Sequence, residues 1–288
     1  MPAIEVNAFY QSDIGSVSYI IADPESRECA VIDPVLGFNP VSARIDTTPA
    51  KALVGWIEKH GYTTRWLLET HIHADHLSAA GYIKQCVGGE TAIGSGVVEV
   101  LEKLIPLFNL EGRVPNDGSQ FQHLLENGAE LPLGNKTIRV LHSPGHTPAC
   151  VSYLIENSLF LGDTLFMPDV GSARCDFPGG DAKALYQSIQ RLYSLPGSTT
   201  VYVCHDYPSE QRPQPCWQST IEEQQRLNIH LPGQISEAKF IKMREQRDKG
   251  LPLPEAMLAV VQLNLMAGHL PAPDINGRSY LKIPINVF

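Results

Sequence analysis

The chain has 288 residues, 43% of them hydrophobic and 18% charged, with a formal net charge of -9. That is enough apolar material for one main α/β domain with an extension, and the acidic balance argues against nucleic acid or an anionic membrane as a partner while leaving room for a local basic site. The opening from Met1 to Val6 has no basic stretch followed by a long apolar run, and no window reaches the length of a membrane span, so a soluble cytoplasmic protein is expected.

Two short β-branched runs, 17–21 and 29–32, flank Asp23-Pro24-Glu25-Ser26, which has hairpin chemistry. Thr48 is the expected N-cap of a helix with Pro49 at its first position, Leu53, Trp56 and Ile57 on one face, and Gly61 at its end. Arg65-Trp66-Leu67-Leu68-Glu69 then reads as a short buried strand leading into Thr70-His71-Ile72-His73-Ala74-Asp75-His76. Imidazoles two residues apart on an extended segment share a side, so His71 and His73 face one position while Asp75 and His76 turn toward a second. Such density behind a strand end is the pattern of a metal-binding loop.

The stretch 77–87 looks helical and stops at Gly88-Gly89; a short strand near Ala92-Ile93 and a helix over 97–105 follow. Residues 97–127, with the turn Pro115-Asn116-Asp117-Gly118, form either a lip over the site or an inert surface excursion. After the Gly134-Asn135 turn, 136–142 alternates as a strand, and Ser143-Pro144-Gly145 bends the chain to present His146. Strands 150–155 and 158–161 flank Glu156-Asn157, and the second runs into Gly162-Asp163-Thr164. Asp181 caps a helix carrying Leu185, Ile189 and Leu192, and the strand 199–204 ends in His205-Asp206-Tyr207. Beyond about residue 208 come helices over 236–247 and 254–267, the latter with Gly268 as its cap, and an extended tail at 280–284. The expected division is a catalytic domain over 1–230 and a helical extension over 231–288 packed on it.

Six cysteines are scattered without a C-x-x-C pair, which fits reduced thiols rather than a disulfide framework or a zinc finger. The strand-end groups His71, His73, Asp75, His76, His146, Asp163 and His205 are together able to hold one or two borderline metal ions.

This order of groups, T-H-x-H-x-D-H, a later Gly-His, a Gly-Asp and a final strand-end His, resembles the metallo-β-lactamase superfamily over most of residues 7–207. The resemblance implies an αββα sandwich of two mixed β-sheets with outer helices. Within the superfamily, Gly171-Ser172-Ala173-Arg174-Cys175-Asp176-Phe177-Pro178 is similar to the R-x-D-F stretch of persulfide dioxygenases, in a branch shared with glyoxalase II thioesterases. The Asp117-Gly118-Ser119-Gln120-Phe121 insert and the tail from Tyr280 to Asn286 resemble the bacterial β-lactamase-hydrolase-like subgroup, which is linked to sulfide detoxification.

The resemblance to persulfide dioxygenases implies one Fe(II) per chain held by His71, His146 and Asp163, with His73, Asp75, His76 and His205 orienting ligands and water. Three ligands on one face leave neighbouring positions where a persulfide anion and dioxygen can sit side by side. The implied activity is iron-dependent oxidation of glutathione persulfide to sulfite and glutathione. In a glyoxalase II-like hydrolase of glutathione thioesters, the same groups would complete a dinuclear site, with zinc as a further metal choice. A persulfide-binding or sensing protein without turnover is a third class, against which the complete ligand set counts. Arg174 is the candidate contact for a glutathione carboxylate, its alternative being an ion pair with Asp176. Tyr207 either points its hydroxyl at the substrate or packs on its loop. Cys175 has no assigned role. The expected partners are glutathione persulfide and dioxygen, with no nucleic acid or membrane; a homodimer is compatible with the sequence.

Overall fold

The computed structural model describes residues 3–231 and 235–287. Its first half supplies β1 (Glu5–Gln11), β2 (Ser16–Asp23), β3 (Glu28–Ile32), β4 (Val35–Asn39), β5 (Arg44–Asp46), α1 (Thr48–His60), β6 (Thr63–Leu68), β7 (Leu77–Ser78), α2 (Ala80–Val87), β8 (Glu90–Gly94), α3 (Val97–Leu107) and β9 (His123–Leu125). The second supplies β10 (Glu130–Leu133), β11 (Lys136–His142), β12 (Val151–Ile155), β13 (Ser158–Phe160), α4 (Ala182–Leu192), β14 (Thr200–Tyr202), β15 (Gln218–Thr220), α5 (Ile221–Leu227), α6 (Glu237–Asp248) and α7 (Met257–Asn264).

One sheet runs β1-β2-β3-β6-β8-β9 and the other β10-β11-β12-β13-β14-β15. Both are mixed. In the first, β3, β6, β8 and β9 are parallel neighbours while β1 and β2 are antiparallel; in the second, only β13 and β14 pair in parallel. Alternate residues of facing strands, among them Tyr19, Ile21, Ile32, Leu68, Leu133, Val140, Tyr153 and Phe160, fill the space between the sheets. Buried aromatic tips satisfy themselves across that interface: Trp66 Nε1 donates to the Pro132 carbonyl at 2.7 Å, and the Tyr153 hydroxyl to the Glu69 carbonyl at 2.7 Å. The outer face of the first sheet packs on Leu53 and Ile57 of α1, Ile83 of α2 and Val260 of α7, while Leu159 and Val201 of the second pack on Leu185 and Ile189 of α4 and Phe240 of α6. This is the αββα sandwich that the resemblance implied. No helix among the described residues is long and apolar enough to cross a membrane.

Several local expectations are corrected. The strand β1 was missed, although Val6, Ala8 and Tyr10 alternate toward the core. The N-cap of α1 is Thr47 rather than Thr48, and its side chain makes no cap bond; Asp46 Oδ1 instead accepts from Thr48 N at 2.9 Å and Thr48 Oγ1 at 2.6 Å. The stretch expected to be helical from Leu77 begins as β7, because Leu77 and Ser78 pair with Leu36 and Val35. Strands β9, β10 and β15 and helix α5 were not expected; α5 carries a capping box between Thr220 and Glu223. Helix α7 is shorter than expected at both ends, and Gly268, at φ +78, closes a later turn by donating to Leu263. Asp181 does cap α4, accepting from the amides of Lys183 and Ala184. The boundary drawn at 230/231 abuts residues 232–234, which lie outside the described residues.

Candidate metal centre and its cavity

The ends of β6, β11, β13 and β14 lead to His71, His146, Asp163 and His205, so the sandwich brings them to one edge. The loop after β6 is pinned before it turns: Val151 N donates to the Thr70 carbonyl at 2.9 Å, and Asp33 accepts from Thr70 N at 2.7 Å and Thr70 Oγ1 at 2.8 Å. Gly162 allows the Asp163 strand to lie against this loop, since a Cβ there would meet Thr70 Oγ1 at 2.4 Å.

Hydrogen bonding assigns the histidine tautomers. The Thr70 hydroxyl gives its proton to Asp33, so at 2.9 Å it accepts from Nδ1–H of His71. A carbonyl can only accept, which puts a proton on Nδ1 of His146 (2.8 Å from the Arg174 carbonyl) and on Nδ1 of His76 (3.2 Å from that of Leu77). Each ring therefore presents a lone pair at Nε2. His73 is reversed: its Nε2 lies 2.9 Å from Asp33 Oδ1 and 3.4 Å from Glu69 Oε2, leaving Nδ1 as the inward atom. The atoms His73 Nδ1, His76 Nε2 and Asp75 Oδ2 are buried without a hydrogen-bond partner. Buried polar atoms are rarely orphaned, and inward lone pairs of this kind fit a cation.

Ligand atoms of His71, His146 and Asp163 lie within 4.8 Å of one another, as do those of His73, Asp75 and His76. His205 Nε2 stands 3.5 Å from both Asp75 Oδ2 and Asp163 Oδ1, between the two groups. Burial and the His73 ring push His71 well below the usual imidazole value, and burial brings His76 down to about 4, so both rings are neutral and able to ligate. Burial pushes the Asp75 carboxyl up, but His76, His205 and His73 outweigh it and hold it at about 2. His73 is the exception: burial, which lowers its pKa, is outweighed by Asp33 and Glu69, which raise it well above the usual range, so a metal ion at Nδ1 would displace a proton there.

A cavity of about 370 Å³ opens on this cluster, reaching Asp75, His146, Asp163 and His205. Phe166, Val170, Phe177 and Leu251 give it apolar walls. Tyr207 lines it too, half exposed, its ring parallel to that of His205 at 6.0 Å. Arg174 is in the wall, but its fork is on Asp176, with Nε and Nη2 each 2.7 Å from a carboxylate oxygen, while Nη1 donates to the Pro252 carbonyl at 2.7 Å. That is the ion-pair alternative, and it leaves no coplanar pair of N–H bonds for a ligand. Cys175 is absent from this wall; burial raises its thiol pKa, which makes it a poor nucleophile.

Residues 97–127 do not line the cavity. They back the metal loop from behind, with Val100, Leu104 and Phe121 packed in one cluster with Ile72 and Ala74, so the segment is neither a lip nor inert. Sequence reasoning also missed Asp33, Glu69, Cys204, Asn264 and His230. Cys204 donates to Asp163 Oδ1 at 3.0 Å, and Asn264 Nδ2 donates to the carbonyls of His73 and His76, at 2.8 Å each.

The sequence profile of the metallo-beta-lactamase superfamily matches residues 13–205. The chain belongs to this superfamily. Among superfamily relatives, a Burkholderia pseudomallei protein named "Probable metallo-hydrolase" is 46% identical over 98% of this chain and 99% of its own length. The beta-lactamase hydrolase-like protein of Xylella fastidiosa is 45% identical over 98% of the chain, which spans only 64% of that relative. Human persulfide dioxygenase ETHE1 is 30% identical over 87% of this chain and 84% of its own length. The crystal structure of ETHE1 from Myxococcus xanthus superposes with a TM-score of 0.74 at 27% identity, covering 92% of this chain and all of that one. The chain is thus of an enzyme superfamily whose members bind metal, and both hydrolase and dioxygenase names occur among its relatives.

Proposed function

We propose that this chain is a cytoplasmic, iron-dependent persulfide dioxygenase that converts glutathione persulfide, dioxygen and water to glutathione and sulfite. The observation that carries the reading is the convergence of His71, His146 and Asp163 donor atoms within 4.8 Å, with His146 and Asp163 lining an apolar-walled cavity. The likeness to persulfide dioxygenases over most of the chain supports it. Fe(II) held by these three side chains would supply a redox-active centre with open positions for both reactants. The chain's own residues do the rest. Phe166, Val170 and Phe177 exclude water from the reacting sulfur, Arg174 O fixes the His146 ring, and Thr70 with Asp33 fixes His71. The reaction balances with the terminal sulfur leaving as sulfite, three oxygen atoms coming from dioxygen and water, and the thiol sulfur returned as glutathione.

A second reading has its own observation: His73, Asp75 and His76 form a further metal-capable group with inward unpartnered atoms. Filling both groups would give the dinuclear centre, with zinc as one metal choice, of a glutathione thioester hydrolase. Iron content, oxygen uptake on glutathione persulfide and thioester hydrolysis, assayed on one preparation, separate the two.

A further inference from the structure

Asp163 turns its two carboxylate oxygens to different places. Oδ2 lies 3.5 Å from His146 Nε2, on the side of the His71 and His146 group, whereas Oδ1 lies 3.5 Å from His205 Nε2, on the side where His205 also meets Asp75 Oδ2. Oδ1 is already engaged, because Cys204 Sγ stands 3.0 Å from it. Two such atoms at this distance share a hydrogen, and a thiol is a far weaker acid than a carboxyl group, so sulfur is the donor.

The backbone under this thiol is held from two sides. Cys204 is only 1% exposed, its carbonyl accepts from Val17 N of β2 at 2.7 Å, and Val203 N just before it donates to the Trp217 carbonyl at 3.0 Å. Cys204 is not in the cavity wall, so whatever it does at the centre it does through Asp163.

That contact bears on how many ions the centre takes. An ion held by His73, Asp75 and His76 has three protein ligands, and the donors bordering on Asp75 that could complete its shell are His205 Nε2 and, beyond it, Asp163 Oδ1. A carboxylate oxygen that accepts a hydrogen bond has one lone pair fewer to offer and less charge to give.

We propose that Cys204 is a positioning residue whose S–H occupies Asp163 Oδ1, leaves Oδ2 to serve the His71 and His146 group, and so disfavours a second metal ion in the His73, Asp75 and His76 group. The inference rests on the single-iron reading and adds what keeps the count at one.

The test uses the full chain loaded with one equivalent of Co(II) and titrated calorimetrically with further Co(II), while the visible and near-ultraviolet spectrum is recorded. Cys204→Ala and Cys204→Val both remove the donor, one leaving space and the other filling it, so an effect common to both is not one of packing. Each is expected to bind the second ion about 10-fold tighter than the parent, while Cys204→Ser, which keeps a donor on the same carbon, stays within about threefold of it. Second-ion affinity unchanged in the Ala and Val variants overturns the proposal. So does a Ser variant that shifts as far as they do, or a sulfur-to-cobalt charge-transfer band present in the parent and lost in the variants, which would make Cys204 a ligand. Oxygen uptake by the iron-loaded parent on glutathione persulfide keeps the two readings apart: tightened variants of a parent that consumes no oxygen uphold the role of Cys204 and sink the dioxygenase, whereas an oxygen-consuming parent with unchanged variants sinks the role of Cys204 alone.

Discussion

Asn264 reaches across 188 residues of chain to donate its amide to the carbonyl oxygen of His76 at 2.8 Å. The same Nδ2 donates to His73 O, and Oδ1 accepts from Ser78 N at 2.9 Å, so one fully buried side chain of α7 holds both ends of the metal loop. Asn264→Ala should leave buried carbonyls unpartnered, at about 1–3 kcal/mol, and weaken metal retention by about 10–100-fold. Thermal unfolding and metal analysis after dialysis check both. A variant with parental metal affinity would mean the loop holds its own shape.

The proposed iron ligands give the sharpest substitutions. His71→Ala, His146→Ala and Asp163→Ala should each abolish metal retention, because two protein ligands cannot compete with water for Fe(II). Alanine at His73, Asp75, His76 or His205 should instead give graded losses of about 10–100-fold in affinity or activity. Elemental analysis of each variant decides; retention of full metal by any of the first three would mean the triad is misassigned.

Arg174 ties the cavity wall together by binding Asp176 and the Pro252 carbonyl. Arg174→Ala should therefore cost stability, about 1–2 kcal/mol for a partly exposed charged pair with a backbone bond, and raise KM while the metal stays bound. Arg174→Lys should recover only part of this, since a point charge does not reproduce the two-bond fork. Denaturant unfolding with steady-state kinetics reads both effects, and unchanged stability would return Arg174 to the role of a direct carboxylate contact.

His230 supplies a pH signature outside the metal cluster. Its folded pKa is lowered to about 4 from 6.5, so the unfolded chain takes up the proton first and stability falls as pH drops from 6.5 through 4. His230→Asn has no such proton to take up, so the parent-minus-variant stability difference should shrink in that window and be flat above it. Unfolding midpoints from pH 4 to pH 8 test this; a pH-independent difference contradicts the buried neutral ring.

The sequence made some of this visible and hid the rest for physical reasons. The loop from Thr70 to His76 is legible because its ligands are consecutive, and His146, Asp163 and His205 because each follows a recognisable strand. Asp33 ends the strand Cys29-Ala30-Val31-Ile32 in the same manner and carried the same signal, but it reads as an ordinary turn residue until Thr70 and His73 arrive at it. Asn264 and His230 gave no local signal, since each is a polar residue whose side-chain partners lie far away in sequence: Asn264 binds His73 and His76, and His230 binds Ser172. Arg174 and Asp176 could be paired from spacing alone, and the fold then chose that pair. Short strands such as β9 and β15 escaped because three residues carry too little periodicity.

The most direct measurement is metal content together with oxygen uptake, on protein prepared without added metal and supplied with glutathione persulfide. One iron per chain, one dioxygen consumed per persulfide and sulfite formed in equal amount is the predicted result. Two metal ions per chain, no oxygen uptake and turnover of a glutathione thioester would contradict the dioxygenase and establish the dinuclear hydrolase in its place.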